Sequence, residues 1–149
     1  MIILVQRVKQ ASVIINNKVF SSINNGLLLF LGIENKDKLN DIKLIIDKLL
    51  ALRIFNDEKN KMNLSIDNIK GSILVVSQFT LCANLNYGNR PGFNNAKNKN
   101  DAFILYNEFI KKLKNKYKYI VKHGSFGSAM DIKLINDGPA TFILNSKDK

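Results

Sequence analysis

The segment Ser72-Ile73-Leu74-Val75-Val76-Ser77-Gln78-Phe79-Thr80-Leu81 decides how the rest of the chain is read. It is an apolar run of strand length, rich in β-branched residues, and so reads as a buried central strand with polar groups at its C-terminal end. Upstream, residues 26–33 form the longest apolar run and read as a second buried strand, entered through the turn Asn24-Asn25-Gly26. Asn35 or Asp37 can then cap a helix, because Leu39, Ile42, Ile45, Ile46, Leu49 and Leu50 recur at helical spacing through Leu52. Residues 56–61 are a polar turn. Alternation at residues 2–8 and 11–15 predicts two early strands, with Asn16-Asn17 turning into Lys18-Val19-Phe20. Downstream, residues 83–99 are a long loop of Asn, Gly and Lys, a kind that usually serves function. Asp101 can cap a second helix to about Tyr117, with Leu105, Phe109, Ile110 and Leu113 inward. Residues 120–123 and 131–135 predict two strands, Asn136-Asp137-Gly138-Pro139 a turn, and residues 141–144 a last strand. Strands interrupted by two separated helices predict an α+β fold, a curved, barrel-like antiparallel or mixed sheet with both helices packed outside. The length fits one domain, residues 1–149.

Composition narrows the chemistry. The single cysteine, Cys82, excludes an intrachain disulfide framework, and with one histidine, His123, it excludes a zinc site built from several Cys and His ligands. No metal and no cofactor is expected. No apolar run reaches the roughly 18–20 residues of a membrane span, and the opening residues lack the pattern of a signal peptide, so the expectation is a cytoplasmic protein without membrane contact. A formal charge of +11 attracts polyanions and makes nucleic acid a plausible partner. Enrichment in Lys, Asn and Ile together also fits a compositional bias of the genome.

Two motifs could carry function. In strand geometry Gln78, Thr80 and Cys82 share one face, and Ser77, Phe79 and Leu81 the other. Backbone N–H groups there, with the Gln78 amide and the Ser77 and Thr80 hydroxyls, can surround an ester carbonyl; a solvated strand end explains the same pattern. The second motif is Asn136-Asp137-Gly138-Pro139-Ala140-Thr141. A Gly-Pro turn usually does nothing further, but a cis bond, open to X-Pro at modest cost, aims two successive carbonyls as acceptors for an amino group. A nucleophilic hydrolase needs Ser or Cys beside a base, and neither His123, at a strand end, nor Cys82, near a core strand, suits that role.

Together the two motifs resemble the signatures of the D-aminoacyl-tRNA deacylase family. Gln6-Arg7-Val8, Gly26-Leu27 to Leu31-Gly32, Arg53-Ile54-Phe55, Gly88 with Arg90-Pro91, and Gly124-Ser125-Phe126-Gly127 with Met130 extend the resemblance along the whole chain. It implies a homodimer in which a cis Gly138-Pro139 pair enters the partner's site, beside Ser77, Gln78, Phe79 and Thr80. The Gly-Pro carbonyls would capture the substrate α-amino group, leaving no room for an L side chain. Glycyl-tRNA is then an expected second substrate. The resemblance puts the ester carbonyl against the N–H groups of Phe79 and Thr80, with Phe126 and Met130 lining the pocket and Arg7 bracing the inserted motif. It also implies that the terminal adenosine's 2′-hydroxyl helps activate water. In one segment, residues 82–91, the chain departs from the family by carrying only Arg90 where several basic residues are usual. Lys111, Lys112 and Lys114 of the second helix can supply phosphate contacts, or simply form a solvated face. The alternatives are a non-catalytic nucleic-acid-binding module, an editing domain for another mischarged tRNA, and an esterase using Thr80 or Cys82.

Overall fold

The computed structural model describes residues 1–86 and 88–148; Tyr87, in the departing segment, and Lys149 lie outside the described residues. Both central runs are strands, as predicted, and they lie side by side: β3 (Gly26–Gly32) is parallel to β6 (Ser72–Ser77). Both are buried on both faces, which is why neither shows a polar side. Leu27, Leu29, Leu31, Ile73 and Val75 pack towards the helices, while Leu28, Leu74 and Val76 belong to a second cluster on the opposite face. β7 (Val121–His123) extends the sheet beyond β6, again in parallel.

β1 (Ile2–Ile15) is a single strand of 14 residues where two were predicted. Its side-chain alternation changes phase across the exposed pair Lys9-Gln10: Ile3 and Val5 join the helix-side core, whereas Val8, Ala11 and Val13 join the other. A register shift between Val8 and Gln10 is the physical cause, since an irregularity moves every later side chain to the other face. β1 pairs antiparallel with β3 along its first half and with β2 (Lys18–Ile23) along its second. Along its other edge it pairs with β8 (Asp131–Asn145) over almost its whole length. The Ser21 hydroxyl donates to the His123 carbonyl at 3.1 Å, bringing β2 back to β7 and nearly closing the barrel. A small hairpin, β4 (Phe55–Asn56) and β5 (Met62–Leu64), flanks the predicted polar turn.

Two helices cover the outside. α1 (Leu39–Ala51) buries Ile42, Ile45, Ile46 and Leu49. Its first turn is closed by the Lys38 N–H donating to the Asp41 carboxylate at 2.8 Å, and not by Asn35 or Asp37. Asp37 is instead buried, accepting from the Met1 ammonium at 2.5 Å and from the Glu34 N–H at 2.6 Å. α2 (Lys99–Lys116) buries Ala102 and Tyr106 along with the predicted stripe. Its cap is Asn98, whose Oδ1 accepts from the Asp101 N–H at 3.0 Å; Asp101 sits in the first turn, where its charge suits the helix dipole. Among the described residues no helix is long and apolar enough to cross a membrane.

The predicted turn at residues 136–139 does not reverse the chain. It is a wide bulge inside one continuous β8, set between the pairs Gln6↔Thr141 and Val8↔Asn136, so that one residue of β1, Arg7, stands opposite four of β8. The turn signal of Asn-Asp-Gly-Pro is real, but the ladder resumes on the same neighbour at Thr141.

Candidate active site

β6 stops at Ser77, four residues earlier than its apolar pattern predicts. Gln78 still donates to the Leu31 carbonyl at 2.8 Å, but β3 ends at Gly32 and offers no further ladder. Residues Phe79–Cys82 therefore wind into a 3-10 turn, with Leu81 N–H donating to Gln78 at 3.3 Å and Ala83 N–H to Thr80 at 3.1 Å. Gly32 makes room for it: a Cβ there would meet Leu81 Cβ at 3.0 Å and Cys82 Sγ at 3.1 Å. The two-faced arrangement predicted for Ser77 to Cys82 is thus replaced by a helical one. The first N–H groups of a helix have no partner within it, and among the described residues none accepts from the N–H of Phe79 or Thr80.

This turn forms one lip of a cavity of about 520 Å³. Leu31, Ile33, Val76 and Ile132 form its apolar wall, and Ser77, Gln78 and Phe79 the lip. Phe126, Gly127, Ser128 and Met130, with Ala96 and Lys97 just before α2 and Lys99 and Ala102 in its first turn, complete the lining. Phe126 is held from behind by Phe103 and Tyr106, each with its ring centroid at 5.3 Å. Five predicted residues, Ser77, Gln78, Phe79, Phe126 and Met130, are thereby brought together. Thr80 is exposed beside the cavity, its hydroxyl accepting a hydrogen bond from the Gln78 amide.

The described lining residues include no Asp, Glu, His or Cys, so the wall holds no side-chain base of the usual kind. His123 is half-buried in β7, its Nδ1 lying 2.9 Å from the Gly124 carbonyl. Cys82 is buried beneath the turn, and burial first, then the negative Glu34 and Asp37, pushes its thiol up to about 11. It is protonated at neutral pH and a poor nucleophile. The ionisable lining groups are Lys97 and Lys99. Lys97 donates to the Asn35 carbonyl at 2.7 Å, while Lys99 makes no ion pair among the described residues. Neither lysine stood out in the sequence, because nothing in the long loop marked where it meets the cavity. Lys114 lies near the other end of α2, about 20 Å from Lys99 at the helical rise.

Arg7, Gly138 and Pro139 do not line the cavity of their own chain. The Gly138-Pro139 peptide bond is cis, and both residues are exposed at the crest of the bulge. The bulge is tied from within and below. Asn136 Oδ1 accepts from the Ala140 N–H at 2.8 Å, and its Nδ2 donates to the Ala140 carbonyl at 3.2 Å. Arg7, only 6% exposed, donates through Nε to the Asp137 carbonyl at 2.8 Å and through a terminal nitrogen to the Ile54 carbonyl at 2.5 Å. Its Nε also lies 3.3 Å from the Asp137 carboxylate.

Residues 4–145 match the sequence pattern of the family described as D-Tyr-tRNA(Tyr) deacylase. The D-aminoacyl-tRNA deacylase of Dictyoglomus turgidum is 52% identical over 144 residues, covering 97% of this chain and 92% of that one. That of Thermodesulfovibrio yellowstonii is 48% identical over 147 residues, covering 99% and 100%. Among solved structures, a c-Myc DNA unwinding element binding protein superposes with a TM-score of 0.95 at 37% identity, covering 99% of this chain and 100% of the other. A probable eukaryotic D-amino acid tRNA deacylase shares the fold, with a TM-score of 0.85 at 17% identity over 96% and 97% of the two chains.

Proposed function

The chain belongs to the D-Tyr-tRNA(Tyr) deacylase family and is a D-aminoacyl-tRNA deacylase, and from that premise we propose how its residues perform the hydrolysis. The observation that carries the proposal is the 3-10 turn at the cavity lip, with two adjacent N–H groups lacking an acceptor and no side-chain base among the described lining residues. Water adds to the ester carbonyl carbon, and the resulting oxyanion accepts from the N–H groups of Phe79 and Thr80. Collapse breaks the bond to the ribose 3′-oxygen, which leaves protonated. The proton comes from the attacking water, relayed through the terminal adenosine's 2′-hydroxyl, so that free D-amino acid and tRNA are released. Ser77 and Gln78 support this pocket, and Phe126 and Met130 shape its wall.

Chirality is assigned to Gly138 and Pro139 of a second subunit. Three observations support a composite site. The pair is exposed and absent from its own chain's cavity; β8 has β1 as its only strand partner among the described residues; and Ile135 and Ile143 on β8 are 48% and 68% exposed. In a homodimer the carbonyls of the pair accept from the substrate α-amino group and exclude an L side chain, with Arg7 holding the bulge in place. Glycine has no side chain to exclude, so glycyl-tRNA is a second substrate. We place the enzyme in the cytoplasm, where charged tRNA is used. The test is ester loss from matched D-aminoacyl-, L-aminoacyl- and glycyl-tRNA: the D and glycyl esters are cleaved and the L ester spared. Equal loss of the D and L esters would sink the chirality assignment.

A further inference from the structure

The long loop contributes an aromatic contact that the core does not use. Phe79 is 58% exposed and Phe93 39% exposed, yet their rings meet edge to face, with centroids 5.0 Å apart and planes at 60°. Phe93 is fixed on both sides. Asn84 and Gly92 exchange two backbone hydrogen bonds of 2.7 and 3.0 Å just before it. After it, Ala96 N–H donates to the Phe93 carbonyl at 3.0 Å, and Asn35 takes the carbonyls of Asn94 and Asn95 at 2.6 and 2.9 Å. An apolar ring held at the surface by this many backbone bonds is prepositioned for a ligand. Phe79 also belongs to the cavity lip, so the pair begins where the cavity ends, and Lys97 and Lys99 stand at the same opening.

We propose that Phe93, together with the outer face of Phe79, is a stacking platform for the base of the nucleotide that precedes the terminal adenosine of the substrate tRNA. The inference rests on the deacylase reading above. A cavity of about 520 Å³ holds a ligand the size of one aminoacylated nucleoside, so the strand must leave across its mouth. Unpaired RNA is held by aromatic rings under its bases and cations along its phosphates, and this mouth presents both. The chain's charge of +11 favours this polyanion over an apolar protein partner. Stacking tolerates any base, which suits an enzyme that meets many tRNAs at one common end.

The test is a double-mutant cycle on the homodimeric enzyme. Phe93→Leu keeps apolar bulk against Phe79 and removes the π face; the substrate is D-aminoacyl-tRNA, intact or abasic at the preceding nucleotide. Either change alone lowers kcat/KM by about 5- to 150-fold, the range of base–aromatic stacking, mostly through KM. Both together lower it no further, and Phe93→Trp restores the intact substrate to at least the wild-type level. Losses that multiply, or a Phe93→Leu enzyme equal to wild type on intact tRNA, would overturn the platform. A wild-type enzyme inert on intact D-aminoacyl-tRNA would instead overturn the deacylase reading. The same four combinations, measured as Kd for uncharged tRNA, then decide the platform by the same criterion.

Discussion

Replacing Arg7 with lysine keeps the charge and most of the stem but discards the planar fork. Arg7 serves two carbonyls in different directions, Asp137 through Nε and Ile54 through a terminal nitrogen. A single ammonium on that stem serves one. The loss is one charge-assisted hydrogen bond, roughly 1.5–3 kcal/mol. In a chain of 149 residues, where each 1 kcal/mol moves the midpoint by about 2–4 °C, Tm falls by roughly 3–12 °C. Thermal unfolding followed by circular dichroism reads that term. Deacylation of D- and L-aminoacyl-tRNA reads the other, because a bulge released from Arg7 presents Gly138 and Pro139 less well and kcat/KM for the D ester falls. Arg7→Met, which leaves both carbonyls without their donor, costs more, roughly 3–6 kcal/mol for two charge-assisted hydrogen bonds. An unchanged Tm in Arg7→Lys would refute the energetic reasoning. A lowered Tm with unchanged rate and chiral selectivity would reduce Arg7 to a structural residue.

Gly138→Ala places a Cβ 2.4 Å from the Ala140 nitrogen, so the bulge must move, and deacylation should fall sharply while far-UV circular dichroism stays native. Mixed with subunits disabled at Gln78, it should regain activity in heterodimers, which keep one intact composite site; purified heterodimers without recovery would exclude the cross-subunit arrangement. Thr80→Ala and Cys82→Ala should each keep substantial activity, and a loss of several orders of magnitude with folding intact would argue for covalent catalysis. The Cys82 thiol is raised from an ordinary value near 9 to about 11, so its contribution to stability is complete below pH 9 and is lost as pH rises towards 11. Alkylation by iodoacetamide should accelerate over that window, and rapid labelling at pH 8 would contradict the burial argument. Lys99→Gln should weaken tRNA binding and reduce the slope of log Kd against log salt by about 0.7, as for one phosphate contact on a single strand; an unchanged slope would remove Lys99 from the interface.

The parts of the fold legible in the sequence are those where side chains alone report the environment. Residues 26–33 and 73–76 are apolar throughout because both faces are covered, and the stripes of α1 and α2 reproduce the 3.6-residue period of helices lying on a sheet. The parts that were not legible depend on a neighbour. β6 could not be seen to end at Ser77, since its end is set by where β3 stops, 46 residues earlier in the register pair Leu31↔Ser77. In the sequence β1 and β8 each read as two strands, because an irregularity interrupts alternation just as a turn does. At the site, Ser77, Gln78, Phe79, Phe126 and Met130 could be named from motifs. Lys97, Lys99 and Phe93 could not, because their place depends on how a loop folds back over Asn35.

The pairing of β1 with β8 also sets a timetable. The hydrogen bond from Arg7 to Asp137 spans 130 residues, and the ladder around it joins β1 to β8. Such closure is slow, because the loop entropy is lost before the contacts form. On the ribosome, β1 waits with one edge open until β8 has been made, a period in which it is vulnerable to misplaced strand pairing. The bulge that carries Gly138 and Pro139 acquires its brace only when that wait ends. A nascent chain can therefore have its cavity lip in place while still lacking the element assigned to tell D from L.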